Sequence, residues 1–98
     1  MANRVRLAKA IASGNASASV RIRAAKPPFY VECHGGGVTL QHTVDGYDVT
    51  DANADWRSLG TIADDDAIVV THPLYRVRCN VTSGTATVDL LEYRGAAA

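Results

Sequence analysis

Tyr75-Arg76-Val77-Arg78-Cys79-Asn80-Val81 is the stretch that decides the fold class. Tyr75, Val77, Cys79 and Val81 alternate without a break with Arg76, Arg78 and Asn80. Successive side chains of a strand point to opposite faces, so this run marks a strand with one face buried and the other in water. The same period recurs on both sides of it. Val88 and Leu90 alternate with Thr87 and Asp89, Val38 and Leu40 with Thr39 and Gln41, and Phe29, Val31 and Cys33 with Tyr30, Glu32 and His34. Val20, Ile22 and Ala24 alternate with Arg21 and Arg23. In Asn3–Ile11, Val5 and Leu7 take one phase while Arg4, Arg6 and Ala8 take the other.

Turn chemistry falls between the runs. Ser13-Gly14-Asn15 separates the first two, and Pro27-Pro28 opens the third. Gly35-Gly36-Gly37 reads as a hairpin connection, Asp45-Gly46 and Ser83-Gly84 as hairpin turns, and His72-Pro73 starts the penultimate strand. Only Ala52–Leu59 has room for a helical turn, with Asp55 as its cap, and no substantial helix is expected. The expectation is an all-β fold: a two-layer antiparallel β-sandwich of about eight short strands, jelly-roll or immunoglobulin-like, in one domain spanning residues 1–98. Residues 95–98 are expected to fray. Periodicity does not decide how the strands connect.

The chain has 98 residues, 47% of them hydrophobic and 20% charged, which suits one globular domain. One Trp, one Phe and four Tyr must supply its large core pieces, so the core is thin and association would stabilise it. Ten basic and ten acidic residues cancel, which removes the cationic surplus that binding nucleic acid requires. Their distribution is uneven. Arg4, Arg6, Lys9, Arg21, Arg23 and Lys26 precede Pro27 with no acid among them, and the acids concentrate between Asp45 and Asp66. Such a division suits edge-to-edge or head-to-tail contact with copies or partners, and ordinary solvated faces account for it equally well. The opening residues lack an apolar signal region and no stretch is long and apolar enough to span a bilayer, so a soluble chain made in the cytosol without a membrane partner is expected.

Reactive residues are scattered. His34, His42 and His72 lie on separate segments and no serine sits in a nucleophile elbow, so no catalysis is expected. Cys33 and Cys79 occupy apolar phases and read as buried thiols, with a cross-strand disulfide open to them under oxidising conditions. Asp64-Asp65-Asp66 and the loop acids Asp45, Asp48, Asp51 and Asp55 lack calcium-loop spacing, and no cofactor or metal is expected. Trp56 and Tyr47 flank the acidic loop, where they could stack on a sugar ring. The stronger reading has Trp56 plugging one end of the core with Leu59 and Ile62.

From Val38 to Val81 the order is Val-Thr-Leu-Gln at 38–41, Asp45-Gly46, Trp56, Ser58-Leu59-Gly60-Thr61, an acidic turn, Tyr75-Arg76-Val77-Arg78 and Asn80-Val81-Thr82-Ser83-Gly84. This course resembles small β-sandwich proteins of tailed bacteriophage virions. It departs from their pattern at Cys79, where Val is more usual, and in a longer loop from Tyr47 to Asp55. The resemblance implies a virion structural protein made in the host bacterial cytoplasm, above all a capsid decoration (cement) protein. It would bind the major capsid protein and cluster as a homo-oligomer, trimer or dimer. Residues 1–25 would be the contact arm, with Arg4, Arg6, Arg21, Arg23 and Lys26 at the interface. A tail, baseplate or head-fibre accessory is the alternative in the same class. A carbohydrate-binding module for host attachment, using Trp56 and Tyr47, is the alternative in another.

Overall fold

Alternation on this scale produces strands and nothing else. The computed structural model describes residues 2–22 and 27–93, and no helix occurs among them. The strands are β1 (Ala2–Ala12), β2 (Val20–Arg21), β3 (Phe29–Thr43), β4 (Arg57–Ile62), β5 (Asp66–Val70) and β6 (Arg76–Tyr93). All belong to one antiparallel sheet in the order β1-β6-β3-β4, with β2 also pairing β6 and β5 also pairing β3. The all-β, antiparallel expectation is met.

Six strands stand where about eight were counted, and the register explains the difference. β1 pairs β6 from Tyr93 back to Thr85, the Ala16–Asn80 bridge follows, and β2 pairs Val77 and Arg76. β1 and β2 are therefore one interrupted strand along the outer edge of β6. Along the other side, β5 pairs Phe29–Cys33 of β3 and β4 pairs Val38–His42. The interruptions line up: Ser13–Asn15, Ser83-Gly84, Gly35–Gly37 and Ala63–Asp65 form a single crease across the sheet. Gly35–Gly37 and Ser83-Gly84 were read as hairpins, but both lie inside continuous strands. They are bends in paired strands, with register shifts between His34 and Gly36 and between Gly37 and Val38.

Glycine is required at that bend for two reasons. Gly84 has φ +64°, which side chains rarely adopt, and a Cβ on it would stand 2.5 Å from the Gly35 carbonyl oxygen. A Cβ on Gly36 would collide with the Ser83 carbonyl oxygen. The two central strands thus pack backbone against backbone at the bend.

Both sides of the crease bury the same face. Phe29, Val31, Cys33, Val88 and Leu90 on one side and Val38, Leu40, Val77, Cys79 and Val81 on the other are at most 1% exposed, and all join one cluster. Among the described residues no other element covers them, so the sheet curls over its own apolar face. Leu74, also buried, adds to the cluster from the connection between β5 and β6. Ala8 departs from the expected phase. A register shift between Arg6 and Ala8 turns it inward, and Leu7 and Ala8 are buried side by side.

The thiols behave as small hydrophobes. Both are free and buried, and the Cys33 thiol donates to the Gly36 carbonyl at 2.8 Å. Burial, reinforced by the neighbouring Cys33, pushes the Cys79 thiol up to about 12. Burial also raises Cys33, with Asp64 and Asp65 adding to the effect. The native protein at neutral pH should show no fast-reacting thiol toward a disulfide reagent, and both should react once it is unfolded. Gly36→Ala should cost about 3 kcal/mol or more in urea unfolding, because the obstacle is backbone. Gly14→Ala meets open space and should cost only about 1–2 kcal/mol of left-handed strain.

Candidate functional site

Arg76 lies on the outward phase of β6, yet it is only 2% exposed. The loop between β3 and β4 lies over it. Its Nη2 donates to Asp51 at 2.6 Å, Nη1 to the Gly46 carbonyl at 3.0 Å and Nε to the Ser19 hydroxyl at 3.2 Å. Ser19 donates from its hydroxyl and backbone N–H to the same Asp51 carboxylate. Those donors, Ser19 first and Arg76 with it, lower Asp51 to about 2. Aromatic rings complete the cluster. The Arg76 guanidinium lies 4.7 Å from the Tyr47 ring centre and 5.5 Å from that of Trp56, and Arg78 lies 4.4 Å from Trp56. Arg21 lies over Tyr47 and Tyr75, which meet edge to face. The Trp56 indole N–H donates to the Asp51 carbonyl at 2.8 Å. Trp56 is half-buried and pins the loop; the core cluster does not include it.

Beside this cluster opens a cleft of about 630 Å³, lined by Arg21, Ile22, His42, Val44, Pro73, Leu74 and Tyr75. No carboxylate is among the lining residues. His42 stacks on His72 at 6.4 Å, and burial, with His72 and Arg57 nearby, lowers its pKa. Val44 stands 82% exposed at the rim.

The other half of the sheet carries a second polar group on its outer face. Arg6 donates to Asp89, whose side chain is 8% exposed. Asp89 is opposite Glu32 in the ladder. His34 lies 2.9 Å from Asp65 and 3.6 Å from Glu32, and the Asp65 hydrogen bond is the main cause that raises its pKa. Asp64 accepts from the Gly35 N–H at 2.7 Å. The acidic run therefore fastens the crease, and no cluster of three or more metal-ligating side chains occurs among the described residues.

The expected site residues are thus divided. Arg4 and Arg6 lie exposed on β1, and Arg21 lies on β2 across the crease. The fold instead brings Arg21 to Tyr47, two residues expected for different purposes. Arg23, Lys26 and residues 95–98 lie outside the described residues. Sequence reasoning missed Arg76 and Asp51. The available signal was an arginine in an alternating run, Tyr75–Val81, that holds no acid, in a chain with an acid-rich loop elsewhere.

Asp51 supplies a direct test. Its folded pKa lies below the ordinary value of 3.8, so its stabilisation is present above that value and is lost as pH falls toward about 2. Trp56 fluorescence should report loop release across that interval. Asp51→Ala should cost about 3 kcal/mol at neutral pH, because it strands the Arg76 charge, and it should remove this component of the acid transition. No family model, no curated protein and no solved structure matches the chain.

Proposed function

We propose that the chain is a non-enzymatic structural protein of a tailed-phage virion, and specifically a capsid decoration protein that binds the major capsid protein. In this reading the creased sheet works as a two-layer sandwich. Its least dimension of 18 Å accommodates two sheets packed about 10 Å apart, and six of its eight half-strands correspond to the six alternating runs. The resemblance from Val38 to Val81 is what points to phage virions, and it rests on those residues alone.

The observation that carries the structural role is how the reactive groups are spent. Among the described residues, the His34 ring meets only carboxylates on an open face, and the cleft that holds His42 has no acid in its lining. Both thiols are buried with raised pKa values. A nucleophile, a base and an orienting acid are nowhere combined in one pocket among the described residues. What the surface does offer is contact: exposed Arg4, Lys9 and Arg21, and the exposed apolar side chains Val44 and Val69. Repeated over a lattice, weak contacts of this kind sum to a stable shell.

A carbohydrate-binding module is the reading from another class. Tyr47, 43% exposed with Arg21 over its ring, is the observation that favours it. Trp56 is less available, since it is half-buried and its indole N–H is already bonded to the Asp51 carbonyl.

Copy number in purified particles separates the readings. Decoration requires stoichiometry comparable with the capsomers and retention on heads that lack tails. A handful of copies that travel with tails would instead mean a tail, baseplate or head-fibre accessory. Loss of glycan-array binding in Tyr47→Ala, with the circular dichroism spectrum unchanged, would mean a lectin.

A further inference from the structure

The sheet ends differently on its two sides. In the half that holds Arg4, the strand order is β1, β6, β3, β5, and neighbours are antiparallel throughout. β1 and β5 therefore run in opposite directions. Among the described residues, the outer edge of each is unpaired. β1 keeps regular register over the five residues from Ala2 to Arg6 before its first shift, and β5 is five residues long.

The ladders define rows across this half. One row is Arg4, Leu91, Tyr30, Val69, and the next on the same face is Arg6, Asp89, Glu32, Ala67. Each row begins with an exposed arginine. The first ends at Val69, which is 60% exposed. The second ends at the small Ala67, with Glu32 behind it and Asp65 just beyond β5. Between them lies the inward row Val5, Leu90, Val31, Ile68.

We propose that β1 of one copy of this chain adds to β5 of a second copy as an antiparallel strand, with Arg4 opposite Val69, Val5 opposite Ile68 and Arg6 opposite Ala67. This rests on the decoration-protein reading and gives structural form to the homo-oligomer that the resemblance implies. The polarity comes without adjustment, because β1 and β5 already run in opposite directions. The faces agree, since inward Val5 meets inward Ile68 and the arginines stay outside. The charges agree as well. Arg4 and Arg6 approach a side of the molecule that carries Glu32, Asp64, Asp65 and Asp66. Within its own copy Arg6 uses only Nε on Asp89, among the described residues, so the rest of its guanidinium is available to the neighbour's Glu32. The contact joins two different edges, so it is heterologous, and copies add head to tail into a ring or a chain.

Sedimentation of the purified full-length chain, alone and in mixtures, tests this. The wild type should associate with rising concentration, and more weakly at high salt. Arg4→Glu and Val69→Lys each change one exposed edge residue, and each alone should weaken association at least tenfold with an unchanged circular dichroism spectrum. Mixed in equal amounts, they should associate again, because Glu at 4 then faces Lys at 69 while the other edges remain native. A wild type that stays monomeric, an Arg4→Glu variant that associates normally, or a mixture that stays apart would each overturn the proposal. The purified chain is used without particles, so failure here leaves capsid binding standing, and failure to bind capsids leaves this contact standing.

Discussion

At the centre of the sheet, the backbone of Gly36 passes against Ser83 and Gly84 closely enough that no side chain fits between them. The rest of the architecture follows from this contact. β3 and β6 are 15 and 18 residues long and carry buried apolar residues on both sides of the crease. Left straight, they would expose a continuous face of Val, Leu and Phe to water with no helix to cover it. Bent where the peptide backbones touch, each strand carries inward residues on both sides of the crease, and these residues join one cluster. A chain with one Phe and one Trp can therefore still bury a core, because its Val, Leu and Cys residues meet their own strand-mates across the bend. The edges bend at the same line by other means. Gly14 at φ +87° serves one edge and Asp65 at φ +57° the other. Asp64 and Asp65 tie the second corner to Gly35 and His34 through hydrogen bonds.

The loop over β6 is held by a different kind of force. Arg76 has little exposed surface, and Asp51, Gly46 and Ser19 satisfy its donors while aromatic rings flank it. Buried ion pairs of this sort add little net stability, because desolvation offsets most of their attraction. They do discriminate. A loop that covered the guanidinium without presenting Asp51 would leave it buried without an anion, a penalty larger than the pair's own contribution. The loop from Val44 to Trp56 has few apolar side chains to anchor it, so its position depends on that penalty. It thereby fixes where Tyr47 meets Arg21 and where the adjoining cleft opens.

Period two was legible in the sequence because the direction of a side chain on a strand depends on phase alone. The inward aliphatic, Phe and Cys residues of the β3 and β6 runs are buried as their phase requires, while Tyr75 is half-buried. The turn residues were legible too, but not what they do. A glycine at φ +64° satisfies a hairpin and a bend equally well, and the neighbour across the sheet decides between them. Gly84 has Gly36 across from it, a fact about two positions 48 residues apart that no local pattern contains. Ala8 was misplaced for a related reason, since a bulge changes phase without changing composition. Arg76 was placed on the correct face but with the wrong exposure. Phase says which way a side chain points, and it does not say what later lies over it.

The outer face carries one arrangement that a chain acting alone would have little reason to keep. Glu32 and Asp89 stand opposite each other in the ladder, and like charges so placed destabilise a sheet. Arg6 neutralises Asp89 from β1, while among the described residues Glu32 has only His34 at 3.6 Å, a partner that is charged only when protonated. The edges are unevenly protected as well. β1 carries Arg4, Arg6 and Lys9 and two register shifts, the usual defences against unwanted pairing. β5 carries Ala67-Ile68-Val69-Val70 with no charge, proline or bulge after Asp66. A bare edge next to an underpaired carboxylate and a guarded edge that presents arginines are complementary defects. Each is a cost in the isolated chain, and both costs fall when the two edges meet.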